Sequence, residues 1–344
     1  MHAAPPYLGI VYEHPEWFGP LFAELDRRGI KYDRILATEL RFNPAAPAGP
    51  AGADRPYTLV LNRMSPSAYV RGHGHALFAS LSYLRHLEIQ GVPVVNGADA
   101  FGLELSKTAQ ISLLARLGLP HPKTRVINTP AQATAAAQAL TFPLLVKPNI
   151  GGSGAKIQRF DALDDLAAAV SAGTLDLGID HTALVQEFHP PVGGFIVRVE
   201  ILDDLFLYAI KVFPNPDAGF NLCPADICQD PAQVDLCPAD LPKTNLRVEG
   251  TTPPEDVVRD VVRLAQAARL DLGGIEYLTS ERDGRLYYYD INALSNFVTD
   301  APRIVGFDPV PLFVDYLERR AGIGRVLVRP RREGLLNSKE VSHA

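Results

Sequence analysis

The alternation of hydrophobic and polar residues predicts short strands separated by amphipathic helices over the first hundred residues. Apolar residues have strand spacing in Tyr7–Tyr12 and helical spacing in Trp17–Arg28, where Gly29 ends the helix. The other elements predicted here are the strand Lys31–Leu36, the strand YTLVLNR, the helix His75–Gln90 and the strand Val92–Asn96. Strands that alternate with helices indicate a parallel sheet, so the pattern predicts a small parallel-sheet α/β domain over residues 1–97.

After residue 97 the pattern becomes that of an α+β structure. A helix begins near Ser106, another covers Ala131–Leu140, and FPLLVKPNIGGSGAKIQRF predicts two strands joined by a glycine-rich loop. FIVRVEIL and LFLYAIKVF predict a hairpin that turns at Asp203-Asp204, and GGIEYLTSERDGRLYYYDIN predicts a second hairpin. These elements divide the rest of the chain into subdomains at 98–190 and 191–325.

Three features of the C-terminal part complete the prediction. Thr252 and Glu255 have the spacing of a capping box, which would start a helix there, and Phe307–Arg320 predicts the closing helix. Pro214–Val248 is irregular. Residues 326–344 form a basic and polar tail, a composition typical of a disordered end.

Composition and charge exclude several classes of protein. The 344 residues are 47% hydrophobic and 21% charged, which excludes a disordered, collagenous or membrane-embedded chain. A net charge of −6 argues against nucleic acid or an anionic membrane as a partner. No apolar run approaches the roughly 18 residues of a membrane span. The sequence therefore predicts a water-soluble protein.

Cysteine usage points to a reducing, cytoplasmic compartment, as does an N-terminus without a basic leader. Cys223, Cys228 and Cys237 lie within fifteen residues of one another and cannot form a disulfide framework. Their spacing lacks the paired C-x-x-C of a zinc site, which favours thiols in a loop.

A glycine-rich loop and two lysines predict a phosphate site. Gly151, Gly152, Ser153 and Gly154 lie between two strands, where the missing Cβ atoms would let backbone N–H groups approach a polyphosphate. On its own, this loop would be better explained as a flexible hairpin. Lys147, in the apolar strand before it, and Lys107, at the start of an earlier helix, would supply the positive charge.

Oxygen side chains at the second hairpin predict a magnesium site. Asp290 and Asn292 are two apart in YYYDIN and so share one face of a strand. Glu276 in the partner strand would be a third ligand if the connection has three or five residues centred on Asp283. A two-residue Asp-Gly turn would instead place it on the opposite face.

The first hairpin is predicted to place two cations close together. If Asp203-Asp204 is a two-residue turn, Arg198 lies opposite Ala209 and is a diagonal neighbour of Lys211. A γ-phosphate or an acyl phosphate between them would satisfy both charges. The alternative for Arg198 is an ion pair with Glu200 on the same face.

The ordered set of these segments resembles the ATP-grasp superfamily, with the RimK-like and glutathione-synthetase-like branch most similar. The set is Ser106-Lys107, PLLVKPNIGGSGAK, VQEF, the arginine of FIVRVEIL, Lys211 followed by FN, GGIEYL and DIN, and it covers roughly residues 58–318. The resemblance implies the ATP-grasp fold, preceded by an N-terminal Rossmann-like α/β domain.

The resemblance also implies roles for individual residues. Phosphates of ATP would lie against Lys107 and Lys147 under the Gly151–Gly154 loop, with Gln186, Glu187 and Phe188 lining the adenine and ribose pocket. Glu276, Asp290 and Asn292 fall on the positions that hold Mg²⁺, or Mn²⁺ in its place. Arg198, Lys211 and Asn221 fall near the γ-phosphate and the acyl intermediate.

The activity implied is that of a carboxylate–amine ligase, which uses ATP to form an amide bond through an acyl phosphate and releases ADP and phosphate. Its substrates would be small carboxylates and amines, and the resemblance suggests amino acids or peptides. Arg63, Arg71 and Asn296 are the residues suggested for substrate binding. Two alternatives stay open, a small-molecule kinase and a non-catalytic nucleotide-binding module. Related enzymes are often dimers or tetramers, so a homo-oligomer is an open expectation.

Overall fold

The computed structural model describes residues 6–49, 56–214, 220, 222 and 246–323, and these form three β-sheets. The strands are β1 Leu8–Tyr12, β2 Tyr32–Leu36, β3 Leu59–Arg63, β4 Val94–Val95, β5 Thr124–Ile127, β6 Leu144–Pro148, β7 Gln158–Phe160, β8 Ala183–Glu187, β9 Ile196–Leu202, β10 Leu205–Phe213, β11 Arg247–Thr251, β12 Leu272–Thr279 and β13 Leu286–Asn292. The α-helices are α1 Gly19–Arg27, α2 Gly74–Ile89, α3 Ala98–Glu104, α4 Lys107–Arg116, α5 Ala133–Ala137, α6 Leu163–Ala172, α7 Glu255–Ala267, α8 Ala301–Val305 and α9 Pro309–Arg320.

The first sheet has the order β2-β1-β3-β4, and all of its strand pairs are parallel. Its central strands β1 and β3 are wholly buried, as expected of strands covered on both faces. The predicted α/β arrangement of this part is confirmed. Strand β4 is shorter than predicted, with only Val94 and Val95 paired.

The other two sheets are antiparallel, in the orders β5-β8-β6-β7 and β11-β10-β9-β12-β13. The glycine-rich loop connects β6 to β7, as the sequence predicts. The sequence does not predict strands β5 and β11, because their half-exposed residues show no clear hydrophobic pattern. This mixture of a parallel sheet and two antiparallel sheets confirms the predicted fold class.

Two helices differ from their predictions. Helix α7 begins at Glu255 after Pro254, with no side-chain cap, so the capping box at Thr252 is wrong. The reason is local, since a residue that precedes a proline avoids helical backbone angles and Pro253 precedes Pro254. Helix α5 is also shorter than predicted and spans only Ala133–Ala137.

A β-bulge changes the register of the β9–β10 hairpin. Asp203 and Asp204 form the predicted two-residue turn, both with positive φ, and Leu202 pairs with Leu205. Between Phe206 and Tyr208 the register shifts by one residue, so Arg198 lies opposite Ile210 and the predicted pairing with Ala209 is wrong.

One hydrophobic core joins the first sheet to the last helix. Phe18 and Leu59 pack in the same buried cluster as Phe313 and Leu317 of α9. Arg28, at the end of α1, donates to Asp315 Oδ1 at 2.6 Å and to Glu318 Oε2 at 2.7 Å. The N-terminal part is therefore packed against the C-terminal sheet rather than tethered beside it.

No helix in the described ranges is long and apolar enough to cross a membrane. Asn221, Cys223, Cys228, Cys237 and the tail 326–344 lie outside the described residues.

Candidate functional site

A cavity of about 310 Å³ lies where the three sheets meet. Most of the predicted site residues line it. They are Lys107, Lys147, Gly151, Gly152, Ser153, Gly154, Gln186, Glu187, Phe188, Arg198, Glu276, Asp290, Asn292 and Asn296. Segments more than a hundred residues apart in sequence therefore share one cleft.

Two rows of side chains cross the floor of this cavity. Arg198, Glu276 and Asp290 are direct cross-strand partners on β9, β12 and β13. The next row on the same face consists of Glu200, Gly274 and Asn292. The predicted metal ligands thus lie side by side.

The pairing of Glu276 with Asp290 arises from a bulge and not from an odd turn length. Near the turn, Tyr277 pairs with Tyr288, a register that suits an even-numbered connection. Tyr289 is the extra residue, and beyond it the register shifts so that Glu276 faces Asp290. The predicted juxtaposition is confirmed, whereas the predicted three- or five-residue connection is wrong.

Arg198 lies between two carboxylates. Its Nε donates to Glu200 Oε1 at 2.6 Å and its Nη1 donates to Glu276 Oε1 at 3.1 Å. A Cβ on Gly274 would come within 2.4–2.5 Å of this guanidinium. Gly274 therefore leaves the space that the guanidinium needs to reach both acids.

The two carboxylates of the first row differ in acidity. Burial and the neighbouring charge of Asp290 raise the pKa of Glu276. Burial acts the same way on Asp290, but Lys107 and Lys147 outweigh it and lower the pKa of that carboxyl. Lys107 Nζ lies 2.5 Å from Asp290 Oδ1. Glu276 therefore holds a proton more strongly than Asp290 does.

This oxygen set fits a magnesium ion that is also bound by phosphate. The described residues contain no group of three His, Cys, Asp or Glu side chains placed to hold a metal. Glu276, Asp290 and the amide of Asn292 supply only part of a six-oxygen shell, as is typical of Mg²⁺ sites completed by a nucleotide and water.

Lys147 is a buried cation in the central strand β6, with 5% of its surface exposed. No ion pair or hydrogen bond of its ammonium group occurs within the described ranges. Burial, reinforced by Lys107, lowers the pKa of Lys147 to about 7. Asp290 and Glu276 act on Lys147 electrostatically but form no ion pair with it, so this buried ammonium group is well suited to an anionic ligand.

The glycine-rich loop approaches the N-terminal part of the chain closely. A Cβ on Gly152 would lie 2.7 Å from Ser67 N and from Ser67 Cβ, so only glycine fits without a shift. Ser153 and Gly154 adopt positive φ angles of 52° and 67°. Ser65 and Ser67, which line the cavity, give no sequence signal of a role there.

The predicted adenine and ribose wall is anchored by its own hydrogen bonds. Gln186 Nε2 donates to Thr124 Oγ1 at 2.8 Å, and Glu187 Oε1 accepts from Thr141 N at 2.9 Å. Phe188 packs under the guanidinium of Arg159. The strand β8 thus presents a polar and aromatic edge to the cavity.

Lys211 lies apart from the other predicted residues. The bulge in β10 places Lys211 opposite Val197, on the other face of the sheet from Arg198. Its ammonium lies 4.4 Å from the centre of the Phe195 ring. The predicted neighbourhood of Arg198 and Lys211 is therefore wrong, and Arg198 forms its ion pairs with acids instead.

The two arginines suggested for substrate binding do not line the cavity. Arg63 is 4% exposed, and its Nη2 donates to Ser295 O and to Asn296 Oδ1. Arg71 donates to both oxygens of Glu13. Both are engaged within the protein, whereas Asn296 does line the cavity.

The sequence prediction missed the buried acid Glu104 and gave the buried acid Glu200 only a structural role. Glu104, at the end of α3, is 6% exposed, and burial raises the pKa of its carboxyl to about 8. Glu200 is 1% exposed and entered the prediction only as an ion-pair partner of Arg198. An acid in the apolar run AFGLEL was the available signal for Glu104.

Comparisons with known proteins agree with this geometry. No family model matches the chain. A D-alanine–D-alanine ligase of Haemophilus influenzae is 31% identical over 160 residues, which are 45% of this chain and 51% of that ligase. The chain spans about half or less of the length of such curated relatives.

Solved structures match over almost the whole chain. The ATP-grasp ligase PsnB has a TM-score of 0.63 at 20% identity, covering 91% of this chain and 98% of PsnB. An ATP-grasp RimK domain protein of Sphaerobacter thermophilus has a TM-score of 0.60 at 17% identity, covering 90% and 98%. The chain has the ATP-grasp fold, which confirms the fold that the motifs predict.

Proposed function

We propose that this protein is an ATP-dependent carboxylate–amine ligase that forms an amide bond through an acyl phosphate. The observation that carries the proposal is the convergence of Lys107, Lys147, Arg198 and the row Glu276–Asp290 on one cavity. Three cations beside two carboxylates suit MgATP, because the phosphates and the metal each find opposite charge.

The chain's own residues would align the reactants and balance charge. Lys107 and Lys147 would hold phosphate oxygens, and Arg198 would stabilise charge that develops on the transferred phosphoryl group. Bound Mg²⁺ would add further positive charge at the phosphates. The Gly151–Gly154 loop, placed against Ser67, would keep water from the acyl phosphate. Such a reaction needs no covalent bond to the protein.

The names of the relatives support this choice. The curated relatives are D-alanine–D-alanine ligases, and PsnB is described as an ATP-grasp ligase in complexes with Mg and ADP. By analogy, this chain would use ATP and Mg²⁺ and would join a small carboxylate to an amine. An amino acid or a peptide is the substrate class proposed.

The test measures ADP and phosphate release from MgATP with a pool of amino acids and small carboxylic acids, with products read by mass spectrometry. We expect phosphate release and a product lighter than its two substrates by one water. Asp290→Ala should abolish both signals, while Asp165→Ala, an exposed aspartate on α6, should leave them unchanged.

Two results would contradict the proposal. ADP without phosphate, with a product heavier by one phosphoryl group, would identify a kinase. Nucleotide binding without turnover on any acceptor in the pool would favour a non-catalytic module.

A further inference from the structure

Two buried carboxylate oxygens in the cavity have no hydrogen-bond partner among the described residues. They are Glu104 Oε2 and Glu200 Oε2. Both side chains line the cavity, and their residues are only 6% and 1% exposed. A buried acceptor that is left unpaired costs free energy, so such atoms are commonly satisfied by a ligand.

Each carboxylate is fixed by its other oxygen. Glu104 Oε1 accepts from Leu294 N at 3.1 Å, and Glu200 Oε1 accepts from Arg198 Nε at 2.6 Å. Because these bonds set the orientation of each carboxylate, the second oxygens cannot simply turn away. They are pre-organised acceptors on the wall of the cleft.

The two acids belong to one region of the cleft. Both act electrostatically on the guanidinium of Arg63, which is buried behind the wall formed by Ser295 and Asn296. Glu200 lies in the second row of the sheet floor, beside the row that contains Glu276 and Asp290. The region therefore adjoins the proposed phosphate and metal site without being part of it.

We propose that Glu104 and Glu200 form a subsite for an alkylammonium group on one of the substrates. This inference rests on the proposed ligase function and names a chemical feature of its substrate. One ammonium has three N–H donors in a compact group, so it can satisfy both Oε2 atoms at once. Its charge makes both hydrogen bonds charge-assisted.

Other ligands fit this subsite less well. A hydroxyl has one donor and would leave one of the oxygens unpaired. A carboxylate ligand has no N–H or O–H donor to offer either oxygen.

The experiment uses the full-length protein loaded with MgAMPPNP and three small probes, namely ethylammonium, ethanol and acetate. Saturation-transfer NMR titrations measure the affinity of each probe. We expect ethylammonium to bind about tenfold or more tightly than either of the other two. Glu104→Gln and Glu200→Gln should each weaken ethylammonium binding about tenfold or more. Glu104 accepts a hydrogen bond from Leu294 N and not from Arg198, so Glu104→Gln should change AMPPNP affinity less than about twofold.

The control variant is Glu255→Gln, which changes an acid with 81% of its side chain exposed at the start of α7 and should leave ethylammonium binding unchanged. Unchanged AMPPNP affinity also shows that the Glu104→Gln variant is folded. Equal binding of ethylammonium and ethanol would overturn the proposal. So would an altered Mg²⁺ dependence of AMPPNP binding in the Gln variants with ethylammonium binding intact, since the oxygens would then serve a metal.

The subsite and the ligase activity fail in different ways. If the protein binds nucleotide but forms no amide, ethylammonium binding by wild type and its loss in the Gln variants would still be observed. If amide is formed efficiently from substrates without a positive charge, the ligase proposal stands and the ammonium subsite is wrong.

Discussion

At the scale of single residues, the electrostatics of the cavity depend on ionisable side chains that the fold buries away from water. Three side chains, those of Lys147, Glu104 and Glu276, are almost completely buried. The pKa of each is shifted in the direction that favours its neutral form. Burial disfavours the charged state of any side chain. These groups gain from a ligand of opposite charge, so the site is electrostatically prepared for an ionic substrate.

Nucleotide binding should therefore take up a proton above neutral pH. Burial lowers the pKa of Lys147 to about 7, while bound phosphate favours the ammonium form, so affinity for MgADP should fall up to about tenfold per pH unit above that value. Isothermal titration in buffers of different ionisation enthalpy at about pH 8 measures the uptake. Lys147→Met should abolish it, and Lys31→Met, at an exposed position, should not. Binding without proton uptake by wild type would contradict this assignment.

The lowered pKa of Lys147 also makes the free energy of unfolding depend on pH. In the unfolded chain a lysine keeps a pKa of about 10.4, so between about pH 7 and 10 the unfolded state binds more protons at this position. The contribution of Lys147 to the free energy of unfolding of the ligand-free protein should therefore rise with pH in that window. Urea denaturation of wild type and Lys147→Met across the window measures the difference in slope with pH, which should vanish above about pH 10. Equal slopes for the two proteins would show that Lys147 is charged in the fold.

Gly274→Ala tests the placement of Arg198. The added Cβ would meet the guanidinium at about 2.4 Å, so Arg198 must leave its position between Glu200 and Glu276. We expect kcat of the proposed ligase to fall about a hundredfold, because small displacements of a charged group at the reacting centre are costly. Gly102→Ala, where no atom lies within 4 Å of the new Cβ, is the matched control for steady-state kinetics. A fully active Gly274→Ala variant would remove Arg198 from the mechanism.

At the scale of elements, β-bulges decide which side chains meet. The bulge at Tyr289 places Glu276 opposite Asp290, and the bulge in β10 moves Lys211 to the face away from Arg198. A shift of one residue exchanges the two faces of a strand for every later position. Bulges leave little mark on the hydrophobic pattern, so counting residues from a turn is unreliable beyond them.

The glycine-rich loop needs a residue without a side chain at position 152. Gly152→Ala would force the loop away from Ser67, because the added methyl group would lie 2.7 Å from the backbone N of that serine. We expect the fraction of ATP hydrolysed without amide formation to rise, because water would reach the acyl phosphate. The ratio of phosphate released to amide formed measures this leakage. Gly19→Ala, with open space around the new methyl group, should keep the wild-type ratio, and an unchanged ratio in Gly152→Ala would argue against closure by this loop.

At the scale of the whole molecule, the cavity depends on the packing of the first part of the chain against the last. Phe18 and Leu59 share a core with Phe313 and Leu317. Arg28 adds ion pairs from α1 to α9. Because these contacts bury apolar area across the boundary, the two parts should unfold together.

Leu317→Ala tests this common core. Leu317 is fully buried, so the substitution should lower the free energy of unfolding by about 2–5 kcal/mol. Chemical denaturation followed by Trp17 fluorescence and by far-ultraviolet circular dichroism should give one coincident, shifted transition. Ile89→Ala, at a position 82% exposed, should change stability by less than about 0.5 kcal/mol. Separate transitions would show that the N-terminal part is independently stable.

The sequence by itself determined the parallel α/β beginning, the antiparallel hairpins and the residue types of the nucleotide site. Local patterns carry that information, because strand and helix periodicity and glycine-rich turns are properties of neighbouring residues. Lys107, Lys147 and Asp290 could be named before their contacts were known. Only the tertiary structure decided that Lys211 and Arg63 are turned from the cavity and that Glu104 and Glu200 face it. Register shifts and burial arise from contacts between distant segments, and no single segment of the chain contains them.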